Sequence, residues 1–288
     1  MNVGLIGCGA MGTAMAGHIV ARGRDKVSAY DIDPERLASV AKLGARPSDS
    51  LADLARSADL FIVMVVSDAQ VLAVAEEVAI DGAEGRLIAV SSTVRPSTMH
   101  RVADIVGAKG LRVIDAPVCF GLSGAKEGRL ASLCGGATED VERARDVLMA
   151  YSRAVHHIGP LGTGQLAKTV NNMLHWAHCV ANYEALLLAK RFGLNAQKIR
   201  EVLLQCPAAN GTLAEWDSTR FTWPRKDLEI ALELAEEGGL ALPLYGQVDQ
   251  LVKLLDPAAV RGLLYEDEAP YLGRSVSAMD GNHRGAGS

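Results

Sequence analysis

An apolar run at the start of the chain stops at a closely spaced set of glycines, and this pattern limits the fold more than any other. Val3 to Ile6 form the run, and Gly7-Cys8-Gly9-Ala10-Met11-Gly12 follows directly. In a strand–turn–helix unit the first glycine makes the tight turn. The second lets a pyrophosphate approach the backbone, and the third lets the helix pack on the strand. The pattern therefore predicts a βαβ start whose first helix presents N–H groups to an anion.

An acidic residue at the end of the second apolar run identifies the anion more closely. Asp31 follows Gly12 by nineteen residues. A carboxylate at this place accepts hydrogen bonds from an adenosine ribose and repels a 2′-phosphate. We therefore predict a dinucleotide bound by the glycine segment and Asp31, with NAD preferred over NADP. Arg36 is interpreted as a solvated helix residue.

Short apolar runs alternate with helical periodicity through the first half of the chain. Strands are predicted at 2–6, 26–31, 59–66, 86–91, 111–115 and near 130–134. Helices are predicted at 10–22, 34–42, 50–56, 69–79, 96–107 and 138–150. Alternating strands and helices are typical of an α/β fold, so we predict a Rossmann doubly wound parallel sheet.

A cluster of helix-breaking residues from Gly159 to Gly164 separates the alternating strands and helices from a purely helical pattern. We place a domain boundary there, between a dinucleotide-binding domain at 1–161 and a second domain at 162–288. Apolar spacing over about 164–192 predicts one long central helix, and further helices are predicted at 211–219, 224–238 and 243–255. Asn195 is predicted to cap an additional helix that stops before Pro207. No clear strand follows the boundary, so the second domain is predicted to be all-α, with a frayed tail at 281–288.

Lys168 stands inside the apolar period of the long predicted helix, and Asn172 follows it four residues later. This spacing places both side chains on one helix face, one turn apart. A lysine on a packed face is costly unless it has a use. We therefore interpret Lys168 as a candidate for proton transfer.

Charge and cysteine content exclude several classes of protein. A net charge of −5 gives no basic footprint for nucleic acid, and no apolar run is long enough to span a membrane. The start of the chain does not look like a signal peptide. The five cysteines have no metal-ligand or redox spacing, which favours reduced thiols in a cytoplasmic protein and predicts no metal site.

Five segments in order resemble the β-hydroxyacid dehydrogenase family, which includes 3-hydroxyisobutyrate dehydrogenase and tartronate semialdehyde reductase. The matching segments are the glycine pattern Gly7 to Gly12, the loop Ser91-Ser92-Thr93-Val94-Arg95-Pro96, the segment Asp115-Ala116-Pro117-Val118 with the glycines that follow, the segment Gly162 to Asn172, and Lys226-Asp227-Leu228. The resemblance extends from Val3 to about Pro243.

The resemblance implies reversible oxidation of a β-hydroxy group by an enzyme with a nicotinamide domain and a helical domain. It implies that Lys168 is the general acid/base and that Asn172 positions the substrate oxygen. Further implied contacts are Met64, Val65, Thr93 and Lys226 with the cofactor, and Ser92, Cys119, Phe120 and Gly121 with a small-molecule substrate. Homodimers or homotetramers are also implied.

The substrate loop departs from the family pattern, which has Ser-Gly-Gly where this chain has Cys119-Phe120-Gly121. A thiol is a weak donor, and phenylalanine adds apolar bulk. We therefore predict a substrate with an apolar or aromatic portion.

Two other functions remain open from the sequence. One is an imine reductase of the same fold, although such enzymes usually replace the lysine that this chain retains. The other is a non-catalytic protein that binds a dinucleotide, which would have no need of Lys168.

Overall fold

A computed structural model of the chain describes residues 1–279. The chain packs into two compact units, the first from Met1 to Lys168 and the second beginning at Thr169. The domain boundary between 161 and 162 stays a prediction. The predicted frayed tail lies outside the described residues.

One sheet of nine strands forms the centre of the first unit. Its strands are β1 (Asn2–Ile6), β2 (Lys26–Tyr30), β3 (Arg46–Pro47), β4 (Leu60–Val63), β5 (Leu87–Val90), β6 (Arg112–Asp115), β7 (Val118–Cys119), β8 (Leu130–Gly135) and β9 (Ser152–Gly159). Their order is β3-β2-β1-β4-β5-β6-β8-β7, and β9 pairs with β8. Strand order reverses direction between β1 and β4, which is where doubly wound sheets bind ligands.

The carboxyl ends of four parallel strands are level with one another. Ile6 is paired with Val63, Val63 with Val90, and Val90 with Asp115. The residues that follow these ends therefore leave the sheet along one edge, and most of the predicted site residues of the first unit lie in those segments.

The sheet is mostly parallel, which confirms the predicted Rossmann fold, and antiparallel pairs around β8 make it mixed. β8 runs antiparallel to β6 and to β7. The connection from β7 to β8 contains only a six-residue helix, α6, whereas a parallel crossover needs a dozen or more residues. The chain therefore reverses at this point, and β9 then pairs parallel with β8.

Helices cover both faces of the sheet. They are α1 (Ala10–Ala21), α2 (Pro34–Ala41), α3 (Leu51–Ser57), α4 (Asp68–Asp81), α5 (Pro96–Gly107), α6 (Gly121–Lys126) and α7 (Thr138–Leu148). Met15 of α1 and Leu148 of α7 belong to one buried apolar cluster. Leu54 of α3, Val74 of α4 and Met99 of α5 belong to a second cluster. Two separate cores confirm the doubly wound prediction.

The second unit is helical and is built around a helix that begins in the first unit. The helices are α8 (Thr163–Arg191), α9 (Ala196–Leu203), α10 (Gly211–Ala214), α11 (Pro224–Glu237), α12 (Pro243–Val252) and α13 (Pro257–Tyr265), with a 3-10 turn at Trp216–Ser218. Trp176, Tyr183, Trp216 and Leu263 lie in its apolar core. The Asn195 side chain accepts from Lys198 N and caps α9, as predicted.

A small hairpin in the second unit contradicts the expectation that no strand follows the boundary. Its strands are β10 (Ala269–Tyr271) and β11 (Arg274–Val276), which pair antiparallel. Leu272 and Gly273 between them have φ angles of 50° and 74°. Three-residue strands carry too little period-2 patterning to stand out in a sequence.

Candidate active site

The glycine segment after β1 leaves no room for larger residues at two of its positions. Gly7 has φ 95°, and a Cβ there would lie 2.3 Å from the carbonyl oxygen of Met64. A Cβ on Gly12 would lie 2.0 Å from the carbonyl oxygen of Gly7. Both contacts are far inside van der Waals distance, so the turn requires glycine at both positions.

Gly9 is different, because the space beside it is open. A Cβ built on Gly9 would meet no described atom within 4 Å. Gly9 precedes α1, where no described side chain forms a capping hydrogen bond and no acidic residue stands in the first turn. The N–H groups at the start of this helix, at Ala10 and Met11, are therefore suited to an anion such as a pyrophosphate. The segment fits the dinucleotide that its pattern predicts.

Asp31 lies beside this segment and holds it in place. One carboxylate oxygen accepts from Cys8 N at 2.6 Å, and the other accepts from Asp33 N at 2.8 Å. Each oxygen retains acceptor capacity for a ribose hydroxyl. Arg36 forms an exposed ion pair with Asp33 at 3.1 Å, consistent with a solvated helix residue.

The end of β4 is tied to the loop after β5. Met64 and Val65 are half-buried, and Val65 N donates to the Ser92 hydroxyl oxygen at 2.8 Å. That hydroxyl also lies 2.9 Å from the Val65 carbonyl oxygen, and Ser92 is 1% exposed. Thr93 beside it is half-buried. The structure therefore places the Ser92 side chain inside the protein, bonded to backbone, and its predicted substrate contact stays a prediction.

The start of α8 is anchored on Asp115, a carboxylate with no exposed surface at the end of β6. Asp115 accepts from Gly162 N and from Gln165 N, each at 2.7 Å. A Cβ on Gly164 would lie 2.2 Å from the Leu133 carbonyl oxygen, so only glycine fits there. Burial raises the pKa of the Asp115 carboxyl, and backbone hydrogen bonds from α8 offset this only in part. Helix N–H groups favour a negative charge at this position.

Lys168 lies one turn into α8, and its ammonium faces Cys119 at the end of β7. Lys168 Nζ is 3.9 Å from the Sγ atom of Cys119, which is 8% exposed. Lys168 itself is half-buried. The structure thus brings together two residues that the sequence places 49 positions apart.

Phe120 adopts a backbone conformation that bulky residues rarely take. Its φ angle is 79° and its ψ angle is 9°, in the left-handed region. The guanidinium of Arg153 lies 4.1 Å from the centre of its ring, and that of Arg129 lies 5.7 Å away. Gly121, also at positive φ, then starts α6. The family's glycine at position 120 suits this geometry, and here two cation–π contacts stabilise a phenylalanine instead.

Asn172 and Lys226 belong to the second unit. Asn172 is 6% exposed, and its side-chain oxygen accepts from Asn171 Nδ2 at 3.2 Å. Lys226 is half-buried in the first turn of α11. Asp227 beside it is buried and accepts from Trp176 Nε1 at 3.0 Å, which ties α11 to α8.

Two buried polar residues of this region were absent from the predicted site. Asp115 and Gln165 are both fully buried and both bond to backbone of other elements. Little in the sequence marked these two residues as functional. Each lies within a segment that resembles the family, but no local pattern distinguishes it from its neighbours.

Three of the other four cysteines, Cys8, Cys134 and Cys179, are buried thiols. All five are free thiols. Burial raises the pKa of Cys8, Cys134 and Cys179 to about 12, with the Asp31 carboxylate adding to the effect at Cys8. Within residues 1–279, no group of three or more His, Cys, Asp or Glu side chains could hold a metal ion. No described helix is both long enough and apolar enough to cross a membrane.

Two family models together match most of the chain. The NAD-binding domain of 6-phosphogluconate dehydrogenase matches residues 2–159. The NAD-binding domain of NADP-dependent 3-hydroxyisobutyrate dehydrogenase matches residues 162–263. With the fold and the open glycine turn, these matches define an NAD(P)-dependent dehydrogenase that acts on CH–OH groups.

Individual relatives specify the family. The chain is 33% identical to 3-hydroxyisobutyrate dehydrogenase of Pseudomonas aeruginosa over 215 residues, 74% of this chain and 72% of that protein. It is 28% identical to the NAD-dependent L-serine dehydrogenase of the same species, over 88% of this chain and 92% of that protein. The structure of Mycobacterium tuberculosis 3-hydroxyisobutyrate dehydrogenase with L-serine superposes with a TM-score of 0.83 at 26% identity, covering 92% of this chain and 99% of that one. The chain belongs to the β-hydroxyacid dehydrogenase family, among its 3-hydroxyisobutyrate dehydrogenase-like members.

Proposed function

We propose that the protein interconverts a β-hydroxy acid, or a similar alcohol, with its aldehyde or ketone, and that Lys168 is the general acid/base. The observation that supports this most is the position of the Lys168 ammonium, 3.9 Å from the Cys119 thiol of the substrate loop. A half-buried cation beside that loop can meet a substrate oxygen.

The chemistry asks for a proton donor in one direction and an acceptor in the other. A bound nicotinamide supplies or takes the hydride. During reduction, negative charge builds on the substrate oxygen, and the Lys168 ammonium stabilises it and delivers the proton. During oxidation, a neutral Lys168 takes the hydroxyl proton. Asn172, one turn further along α8, offers a donor and an acceptor without a competing charge and is proposed to hold the same oxygen.

NAD is the proposed cofactor, in preference to NADP. Asp31 places a carboxylate beside the glycine segment, where it would repel a 2′-phosphate. Ile32, which follows it, is 83% exposed and adds no cation for such a phosphate. Met64, Val65 and Thr93, at the ends of β4 and β5, and Lys226 of the second unit are proposed to line the cofactor.

The substrate is proposed to have an apolar portion. Cys119 supplies a weak donor beside Lys168, where the family pattern has a serine hydroxyl. The ring of Phe120 contacts Arg153, so we assign Phe120 and Gly121 mainly to the shape of the loop that presents Cys119. A methyl-bearing acid fits these surroundings better than an acid with a second polar group.

Homodimers or homotetramers are proposed from one face of α8. Val170, Leu174 and Leu188 are each about half exposed or more, at 49%, 51% and 62%. Their spacing keeps them on a single helix stripe. An apolar stripe of this kind is typical of a surface that another chain covers. The proposed location in the cytoplasm stays a prediction.

The proposed function is tested by measuring turnover of a panel of hydroxy acids and related aldehydes. The panel would include 3-hydroxyisobutyrate, L-serine and tartronate semialdehyde, each with NAD or NADP in the matching oxidation state. Wild type should turn over at least one β-hydroxy acid, Lys168→Ala should lose that activity, and Lys109→Ala, an exposed control, should retain it. Turnover of cyclic imines alone would favour an imine reductase, and NAD binding without turnover would favour a non-catalytic binding protein.

A further inference from the structure

Gln165 stands three residues before Lys168 on α8, and its side chain is completely buried. Its Oε1 atom accepts from Val94 N at 3.0 Å. Its Nε2 atom donates to the Ser92 carbonyl oxygen at 2.8 Å. A backbone N–H can only donate and a carbonyl can only accept, so the two contacts fix the orientation of the amide.

The two backbone groups that Gln165 holds lie on either side of Thr93. Val94 is fully buried, and Ser92 is also bonded through its hydroxyl to Val65 N at 2.8 Å. Hydrogen bonds therefore run from the end of β4, through the loop after β5, to the first turn of α8. These are the segments that the proposed function assigns to the cofactor and to proton transfer.

Asp115 fixes the backbone at the beginning of α8. Its carboxylate accepts from Gly162 N and from Gln165 N, and Gly164 packs against the Leu133 carbonyl without room for a side chain. The backbone of Gln165 is thus fixed by Asp115 while its side chain is fixed by the Ser92–Val94 loop. Lys168 follows within one turn, so its position depends on both contacts.

We propose that Gln165 is a positioning residue that sets the place of the Lys168 ammonium relative to the Ser92–Val94 loop. This inference rests on the proposed role of Lys168. The side chain must supply one donor and one acceptor in a buried place without a charge, which an amide does and a carboxylate or an alkyl group does not. A displacement of about 1 Å of a reacting group is enough to cost about a hundredfold in rate.

Two substitutions of similar volume test this position. Gln165→Met removes both hydrogen bonds. Gln165→Glu keeps the acceptor for Val94 N, and it regains a donor for the Ser92 carbonyl only when its carboxyl group is protonated. Burial favours that protonated form, so it should be reached as the pH falls. Gln205→Glu, on an exposed residue after α9, is the matched control.

The assay measures the reduction by NADH, across a series of pH values, of the aldehyde that corresponds to the best substrate of the panel. The folded fraction of each variant is measured by circular dichroism. Per folded enzyme, Gln165→Met should lose at least tenfold in kcat at every pH, while the dissociation constant of NADH changes less than threefold. Gln165→Glu should recover towards wild type as the pH is lowered. The Gln205→Glu variant should follow the wild-type pH profile.

The inference is overturned if folded Gln165→Met keeps wild-type kcat. It is also overturned if the ratio of kcat in Gln165→Glu to kcat in wild type stays constant across the pH series. Should Gln165→Met fail to fold, the pH profile of Gln165→Glu decides alone. Failure of the proposed function is a separate outcome, since it would appear as full activity in Lys168→Ala whatever Gln165 does.

Discussion

The Lys168 ammonium and the Cys119 sulfur lie 3.9 Å apart, the lysine on the first turns of α8 and the cysteine at the end of β7. A thiol is a weak hydrogen-bond partner, so the ammonium is left to bind a stronger acceptor. A substrate oxygen beside Lys168 would be such an acceptor. If Lys168 holds the substrate oxygen as proposed, residue 119 selects which other substrate groups can bind beside it.

Cys119→Ser should shift substrate preference towards more polar acids. A hydroxyl forms a hydrogen bond worth about 1 kcal/mol net, and 1.4 kcal/mol corresponds to a tenfold change. We expect kcat/KM for L-serine, relative to 3-hydroxyisobutyrate, to rise about fivefold. Cys206→Ser, which changes a half-buried thiol after α9, should leave the ratio unchanged. An unchanged ratio in Cys119→Ser would show that this thiol does not face the substrate.

Phe120 should tolerate glycine better than alanine. The left-handed backbone costs a non-glycine residue about 1 kcal/mol or more, and alanine keeps this cost while losing the contacts with Arg153 and Arg129. Urea unfolding should therefore rank Phe120→Gly above Phe120→Ala by about 1 kcal/mol in free energy of unfolding. At Phe192, which is exposed and has no positive φ, glycine should be no better than alanine. The same ranking at both positions would contradict the strain at Phe120.

Asp115 should give the folded protein an acid-dependent gain in stability. Burial raises its pKa above the unfolded value, so the native state takes up the proton first as the pH falls. Its contribution is fully present below the unfolded pKa and is lost as the pH rises through the native pKa. The free energy of unfolding of wild type minus that of Asp115→Asn should thus increase between about pH 7 and about pH 4. A difference that shrinks towards acid would mean that the hydrogen bonds from α8 outweigh burial.

Asp31→Ser should weaken the discrimination against NADP. The carboxylate contributes about 1 kcal/mol or more of repulsion towards a 2′-phosphate, because two charges about 4 Å apart interact with this energy even in water. The ratio of dissociation constants, NADP over NAD, should fall about fivefold or more when measured by calorimetric titration. Asp33→Ser removes a neighbouring carboxylate that caps α2, and it should change the ratio less than threefold. Equal changes of the ratio in both variants would mean that Asp31 does not contact the cofactor ribose.

Local patterns in the sequence predicted most of the regular elements. In the first half, the six predicted strands and six predicted helices all form, with ends that differ by at most three residues. The two-residue strands β3 and β7 were not predicted, since two residues show no alternation. The six-residue helix α6 and the strand β9 were also absent from the predicted elements. The antiparallel placement of β8 was also missed, because it depends on the length of the connection through α6 and not on the strand's own composition.

The site was predictable only where chemistry coincides with a local pattern. The glycine segment and Lys168 stand in recognisable surroundings, so they could be chosen from the sequence. The bonds of Gln165 to Ser92 and Val94 join residues more than 70 positions apart, and no local pattern specifies them. The left-handed backbone of Phe120 was equally hidden, since phenylalanine is among the residues least expected there.

A single-turnover measurement on Lys168→Met is the sharpest test of Lys168 as the proton donor. NADH is bound first, the aldehyde is added, and the rate of NADH oxidation is followed alongside the dissociation constant of NADH. General acid/base catalysis contributes about a hundredfold to ten-thousandfold. We therefore expect a rate about a thousandfold below wild type, with the dissociation constant of NADH within threefold. A rate within about fivefold of wild type would contradict Lys168 as the proton donor.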